Sequence, residues 1–91
     1  MGNGEQPTAR AVEDKIFELL AARRPGLTIC PSDVARALAP EETAWRGLMP
    51  EIREVAQALV LSGRLVVTRG GVPVEATQPG GPIRLGKPPA P

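Results

Sequence analysis

One run constrains the fold of this chain more than any other: WRGLMPEIREVAQALVLSGRLVVT, from Trp45 to Thr68. Trp45, Leu48, Ile52, Val55, Ala56 and Leu59 recur three or four residues apart, which places them on one helical face. Met49 and Val60 flank that face. Gly63 is the expected left-handed stop. Arg64 to Thr68 then reads as a strand, because Leu65, Val66 and Val67 favour β-structure. A long amphipathic helix that passes through one glycine into a strand points to a mixed helix-and-sheet fold. Pro50 complicates the helix. The preferred reading is a short turn over 42–48 and a main helix starting near Met49, with Pro50 in its first turn. The alternative is one helix kinked at Pro50.

Two shorter helical patterns come first. Thr8 can cap a helix beginning near Ala9, and Ala9, Val12, Ile16, Leu19 and Leu20 carry its apolar face, with Phe17 beside them. Arg23 and Arg24 suit the negative end of its dipole, and Pro25-Gly26 stop it. Leu27-Thr28-Ile29 is a short strand candidate. Pro31 fits the first turn of a second helix, with Val34, Ala35 and Leu38 on one face, running to about Ala39 before Pro40. Glu41-Glu42-Thr43 form an acidic turn or a new helix start.

After the long helix, Gly70-Gly71 is a hairpin signal. Val72 to Glu75 is the returning arm, held to an edge by Pro73. Gln78 to Pro82 is a loop, and Ile83-Arg84-Leu85 is a further extended segment packing back on the core. The order helix, strand, helix, helix, hairpin is that of an α+β winged helix-turn-helix, with three helices and a small antiparallel sheet as wing. The expected organisation is a disordered N-terminal segment over 1–8, the domain over 9–86 and a flexible tail over 87–91. The expected core is Val12, Ile16, Leu19, Leu20, Ile29, Val34, Leu38, Trp45, Leu48, Ile52, Val55, Leu59, Leu65 and Val67. Phe17 and Trp45 are the only aromatics in 91 residues, so Trp45 is placed at the centre of that core.

Three stretches carry a more particular likeness: ICPSDVARAL (Ile29 to Leu38), WRGLMPEIREVAQAL (Trp45 to Leu59) and GGPIRL (Gly80 to Leu85). Together they resemble a bacterial domain-of-unknown-function family of small winged helices, over about residues 10 to 86. The resemblance implies a winged-helix fold in a bacterial cytoplasm. It implies no established activity and no functional residues.

Catalysis finds little material. The chain has no His and no Tyr. One Cys without His cannot supply the usual zinc ligands. Ser32 with Asp33, and Glu41 with Glu42, lack a base or a pocket, and none of the usual active-site combinations is present. The Gly-rich turns match neither phosphate-binding glycine motif. No catalytic, cofactor or metal site is therefore expected. Cys30 precludes an intrachain disulfide by being alone, and reads as a buried or half-buried structural residue. No apolar run approaches the roughly 18 residues of a membrane span. The first ten residues lack a signal peptide's apolar stretch. Met1-Gly2 opens like a myristoylation site, but Gln6 stands where Ser or Thr is expected. A soluble cytoplasmic protein is the expectation, as a monomer or weak dimer.

Two binding functions remain. Net charge is only +1, but its distribution is uneven. Residues 1–61 hold seven Lys or Arg against nine Asp or Glu, whereas Arg64, Arg69, Arg84 and Lys87 face Glu75 alone after that. Duplex DNA is one candidate partner. The third helix would offer Arg46, Arg53 and Gln57 to phosphates or base edges, and the wing Arg64, Arg69, Arg84 and Lys87 to the backbone. Glu51 and Glu54 oppose this, because phosphate repels them. The alternative is a protein-interaction module without nucleic-acid binding, using the third-helix face, the wing edge or an apolar patch around Leu61 and Met49.

Overall fold

The computed structural model describes residues 7–89. Helix α1 spans Ala9–Ala21. Thr8 caps it, its Oγ1 accepting the Ala11 N–H at 3.0 Å. Val12, Ile16 and Leu20, four residues apart, are its buried stripe. The helix ends before Arg23 and Arg24, so these two do not occupy its last turn as expected. Pro25 explains the early end, since the residue preceding a proline is pushed away from helical angles. Gly26, at φ +88°, turns the chain.

The expected first strand contracts to one bridge. Ile29 donates to Leu85 O at 2.9 Å and accepts from Leu85 N at 2.7 Å. Helix α2 then runs over Pro31–Leu38, with Pro31 in its first turn and Val34 and Ala35 buried. The Asp33 carboxylate accepts the Cys30 N–H at 2.9 Å, satisfying a donor at the helix start.

Helix α3 spans Glu42–Leu61 without interruption, with Pro50 inside it. This corrects the preferred reading of a separate turn and later start. Pro50 removes one intrahelical bond and crowds the Arg46 carbonyl. That cost is borne because Leu48 on one side and Ile52, Ala56 and Leu59 on the other are all buried on one face. Pro50 itself faces solvent. The helix closes in a Schellman turn: Arg64 N donates to Leu59 O (2.9 Å), Gly63 N to Val60 O (3.0 Å), and Gly63 sits at φ +80°.

Three short antiparallel strands follow. Strand β1 is Val66–Arg69, β2 is Val72–Pro73, and β3 is Arg84–Gly86. Gly70-Gly71, at φ +60° and +83°, make the β1–β2 turn. The order is β2-β1-β3, with Val67 opposite Leu85. Ile29 extends the sheet beyond β3. The returning arm is therefore shorter than expected, and β1 pairs on its other side with β3 over three residues, against two for β2. Gly86 is buried and is the last residue of β3, so the last strand ends where the domain was expected to end. The expected disorder of 1–8 lies mostly outside the described residues, as does the end of the tail.

Three helices and a small three-stranded antiparallel sheet make this an α+β domain, in an order consistent with a winged helix-turn-helix. No helix among the described residues is long and apolar enough to cross a membrane. The core holds most of the expected residues and adds Ala35, Ala56, Ala76, Ile83 and Leu85. Leu19, Leu38, Trp45 and Val55 are only partly buried and pack against its outside. Trp45 lies near the start of α3, where two arginines cover its ring on the outside of the core.

A ranking follows. Ile52→Ala, at a fully enclosed site, should cost roughly 2–5 kcal/mol. Trp45→Ala should cost only about 2 kcal/mol, below the roughly 3–5 of an enclosed aromatic. Thermal melts of the two variants check this; a lower midpoint for Trp45→Ala would put the tryptophan back in the core.

Candidate nucleic-acid interface

The continuity of α3 decides what its outer face presents. At 100° per residue, roughly, Arg53 and Gln57 fall about 20° to either side of Arg46, a spread of about 40°, on a helix that does not break. Two helices meeting at Pro50 would separate Arg46 from the other two. The same geometry places Glu54 about 80° and Glu51 about 140° round from Arg46. Arg46, Met49, Pro50, Arg53 and Glu54 line an open groove of 490 Å³, closed on its far side by Thr77.

Gln57 does not face that groove freely. Its Oε1 accepts the Ala76 N–H at 2.7 Å and ties the segment after β2 to α3. The tie sets Thr77 beside the groove. It also satisfies the backbone donor of a fully buried residue.

The wing arginines are engaged in the same way. Arg69 donates from Nη2 to Gln78 O (3.0 Å) and Gly81 O (3.1 Å), holding the loop between β2 and β3. Gly80 passes so close that a Cβ there would stand 3.1 Å from Arg69 Nη1. Arg84 donates from Nε to Thr28 Oγ1 (2.9 Å) and from Nη2 to Thr28 O (3.0 Å), and Nη1 reaches Cys30 Sγ. Cys30 is half-buried and free, with its sulfur against that guanidinium. Arg64 turns to α1, pairing with Glu13 at 2.8 Å and lying 4.8 Å from the Phe17 ring. Lys87 is exposed beyond β3.

Of the residues expected to meet DNA, the structure thus brings Arg46 and Arg53 into one groove. It spends Gln57, Arg69 and Arg84 largely on the chain itself and directs Arg64 elsewhere. Arg36 is a residue that the sequence did not single out. It extends from α2 over Trp45, 4.6 Å from the ring centre, and Arg46 covers the same ring at 4.8 Å. Both are attracted by the negative face of the indole. Arg46 also pairs with Glu42 at 3.0 Å, but both ends are exposed, and such pairs are worth roughly 0–1 kcal/mol. No local pattern marks Arg36, since its meeting with Trp45 depends on how α2 packs on α3.

This surface can attract anions through guanidiniums on one helix face. Among the described residues, no group of three or more His, Cys, Asp or Glu could hold a metal ion.

Fold and surface define a small α+β domain of three helices and a three-stranded sheet, with an arginine-bearing third helix. The chain belongs to the family described as protein of unknown function (DUF3253), which it matches over residues 9–88. No curated protein matches the chain.

The engaged side chains should behave as scaffold. Gln57→Ala strands a buried N–H and should cost about 1–3 kcal/mol, whereas Gln57→Glu keeps an acceptor and should cost less. Arg84→Met should speed amide exchange at Ile29, whose N–H bonds to the strand that Arg84 anchors. Denaturant melts and hydrogen exchange read these effects. Parent-like exchange at Ile29 in Arg84→Met would mean that the guanidinium does not hold the bridge.

Proposed function

We propose that this is a non-enzymatic winged-helix domain that binds duplex DNA through α3, as a monomer or weak dimer. The observation that carries the reading is the uninterrupted α3, with the exposed Arg46 and the half-buried Arg53 seven residues apart on one face. Seven residues rise about 10.5 Å along a helix, and a major groove about 12 Å wide admits a helix presenting such a stripe. Arg36 adds a cation at the corner between α2 and α3, and Lys87 adds one beyond the sheet. The family likeness supports a bacterial cytoplasmic setting.

Charge limits how tightly this surface holds DNA. Glu42, Glu51 and Glu54 lie on the same helix, and the wing arginines are turned inward. Three or four phosphate contacts remain, so the salt dependence should be shallow. A slope of log affinity against log salt near about −3 is expected, from roughly 0.9 per phosphate contact. Fluorescence anisotropy of a labelled mixed-sequence duplex measures it. Arg46→Ala with Arg53→Ala should abolish binding, and Arg64→Ala should leave it unchanged. Absence of binding by the parent protein at about 50 mM salt, with both components well above micromolar, would remove non-specific DNA binding as the function.

One observation favours a second reading, a protein-interaction module. Strand β2 leaves one sheet edge open, Val72 there is 61% exposed, and Leu61 at the end of α3 is 79% exposed. An open edge can accept a partner strand. In that case Val72→Lys and Leu61→Lys would disrupt the complex, and DNA would perturb nothing.

A further inference from the structure

The groove beside α3 has the make-up of an anion seat. Among the described residues Arg53 donates no hydrogen bond, and its Nε is covered by protein without an acceptor. Arg46, Arg64, Arg69 and Arg84 each have a partner within the chain; the Arg69 Nε is also covered without an acceptor, but its Nη2 is held by two carbonyls, whereas Arg53 has no partner at all. Covered polar groups nearly always find a partner, so a guanidinium with none, beside a groove, marks a place where an acceptor belongs. Arg46 stands at the other end of the groove, held only by an exposed ion pair to Glu42. Thr77 brings a hydroxyl from across the groove, fixed there by the Gln57–Ala76 bond. Met49 and Pro50 between them add no charge.

The charge of the groove selects the anion. Its lining holds two guanidiniums and the Glu54 carboxylate, and Glu42 outside the lining pairs with Arg46, so the surplus positive charge is at most one. A phosphodiester, with one negative charge, asks for no more than that. A dianionic phosphate brings a second charge towards Glu54 and is disfavoured.

We propose that this groove seats one backbone phosphodiester of the bound duplex, with Arg53 as principal donor, Arg46 and Thr77 completing the site, and Glu54 excluding dianions. The inference rests on the DNA-binding reading above and names the phosphate contact that anchors it. A small rotation of the Arg53 side chain gives its Nε–H and one Nη–H a paired grip on two phosphate oxygens, which a lysine cannot reproduce.

The test is an NMR titration of ¹⁵N-labelled full-length protein, following the Arg53 Nε–Hε signal, assigned by its loss in Arg53→Lys. Three probes are added separately at about 50 mM salt: a mixed-sequence duplex, dimethyl phosphate, and inorganic phosphate at a pH where it is dianionic. The signal is expected to move with the duplex and with dimethyl phosphate, and less with inorganic phosphate. Glu54→Gln should bring inorganic phosphate level with the diester. Arg53→Lys should weaken the duplex complex about tenfold and make the salt slope shallower by about one contact. If the duplex moves backbone signals of α3 but leaves Arg53 Nε–Hε in place, the seat is overturned and DNA binding stands. If dimethyl phosphate moves Arg53 while the duplex moves nothing, the seat stands and the DNA reading falls. If neither probe moves any signal of the protein, both fall. A stronger response to inorganic phosphate than to the diester overturns the charge selection.

Discussion

Leu85 is the junction on which the rest of the molecule depends. It exchanges both backbone hydrogen bonds with Ile29 and lies opposite Val67 in the sheet. It is completely buried. One residue thus joins the connector between α1 and α2 to the strand that leaves α3. These segments are far apart in the chain, so closing them costs loop entropy that only the buried core can offset. Ile83 on the same strand segment is buried too, and Arg84 between them fastens to Thr28 and Cys30. Without this closure the segment from Val74 to Pro82 would have no fixed return, and Thr77 would have no fixed place beside α3.

The same closure determines which cations are left for binding. Arg84 secures β3, Arg69 secures the loop that leads to it, and Gln57 secures the start of that loop. All three are polar side chains serving backbone groups that the fold would otherwise leave unsatisfied. The C-terminal third is basic in composition but offers little of that charge to a partner. The guanidiniums left for the proposed surface lie instead on α2 and α3: Arg36 and Arg46 over Trp45, the latter in an exposed pair with Glu42, and Arg53 further along α3. The chain's single tryptophan is therefore part of the surface that the proposed function uses.

Much of the helical layout was legible along the chain. Thr8, Pro31 and Gly63 mark helix ends through effects that act within one turn, and the apolar spacing marks the faces. Pro50 was misread because its local cost is real, while the burial that offsets it is spread over Leu48, Ile52, Ala56 and Leu59. Ile83 and Leu85 are legible as a segment packing back on the core but not as part of it, and Ala76 is not legible at all, because two or three apolar residues among prolines and glycines carry no period. Arg46 and Arg53 were recognised as site candidates from their place on α3. Arg36 was not, because its partner is on another helix.

The sequence by itself determined the three helices, the stop at Gly63, the Gly70-Gly71 turn and the absence of any His, because capping, left-handed backbone angles and side-chain chemistry are local properties. The tertiary structure alone decided that α3 runs through Pro50, that β3 rather than the hairpin arm is the main partner of β1, and which arginines remain free. Those outcomes depend on what lies across the fold. Arg84 meets Thr28 from 56 residues away and Arg64 meets Glu13 from 51, distances at which no local pattern carries information.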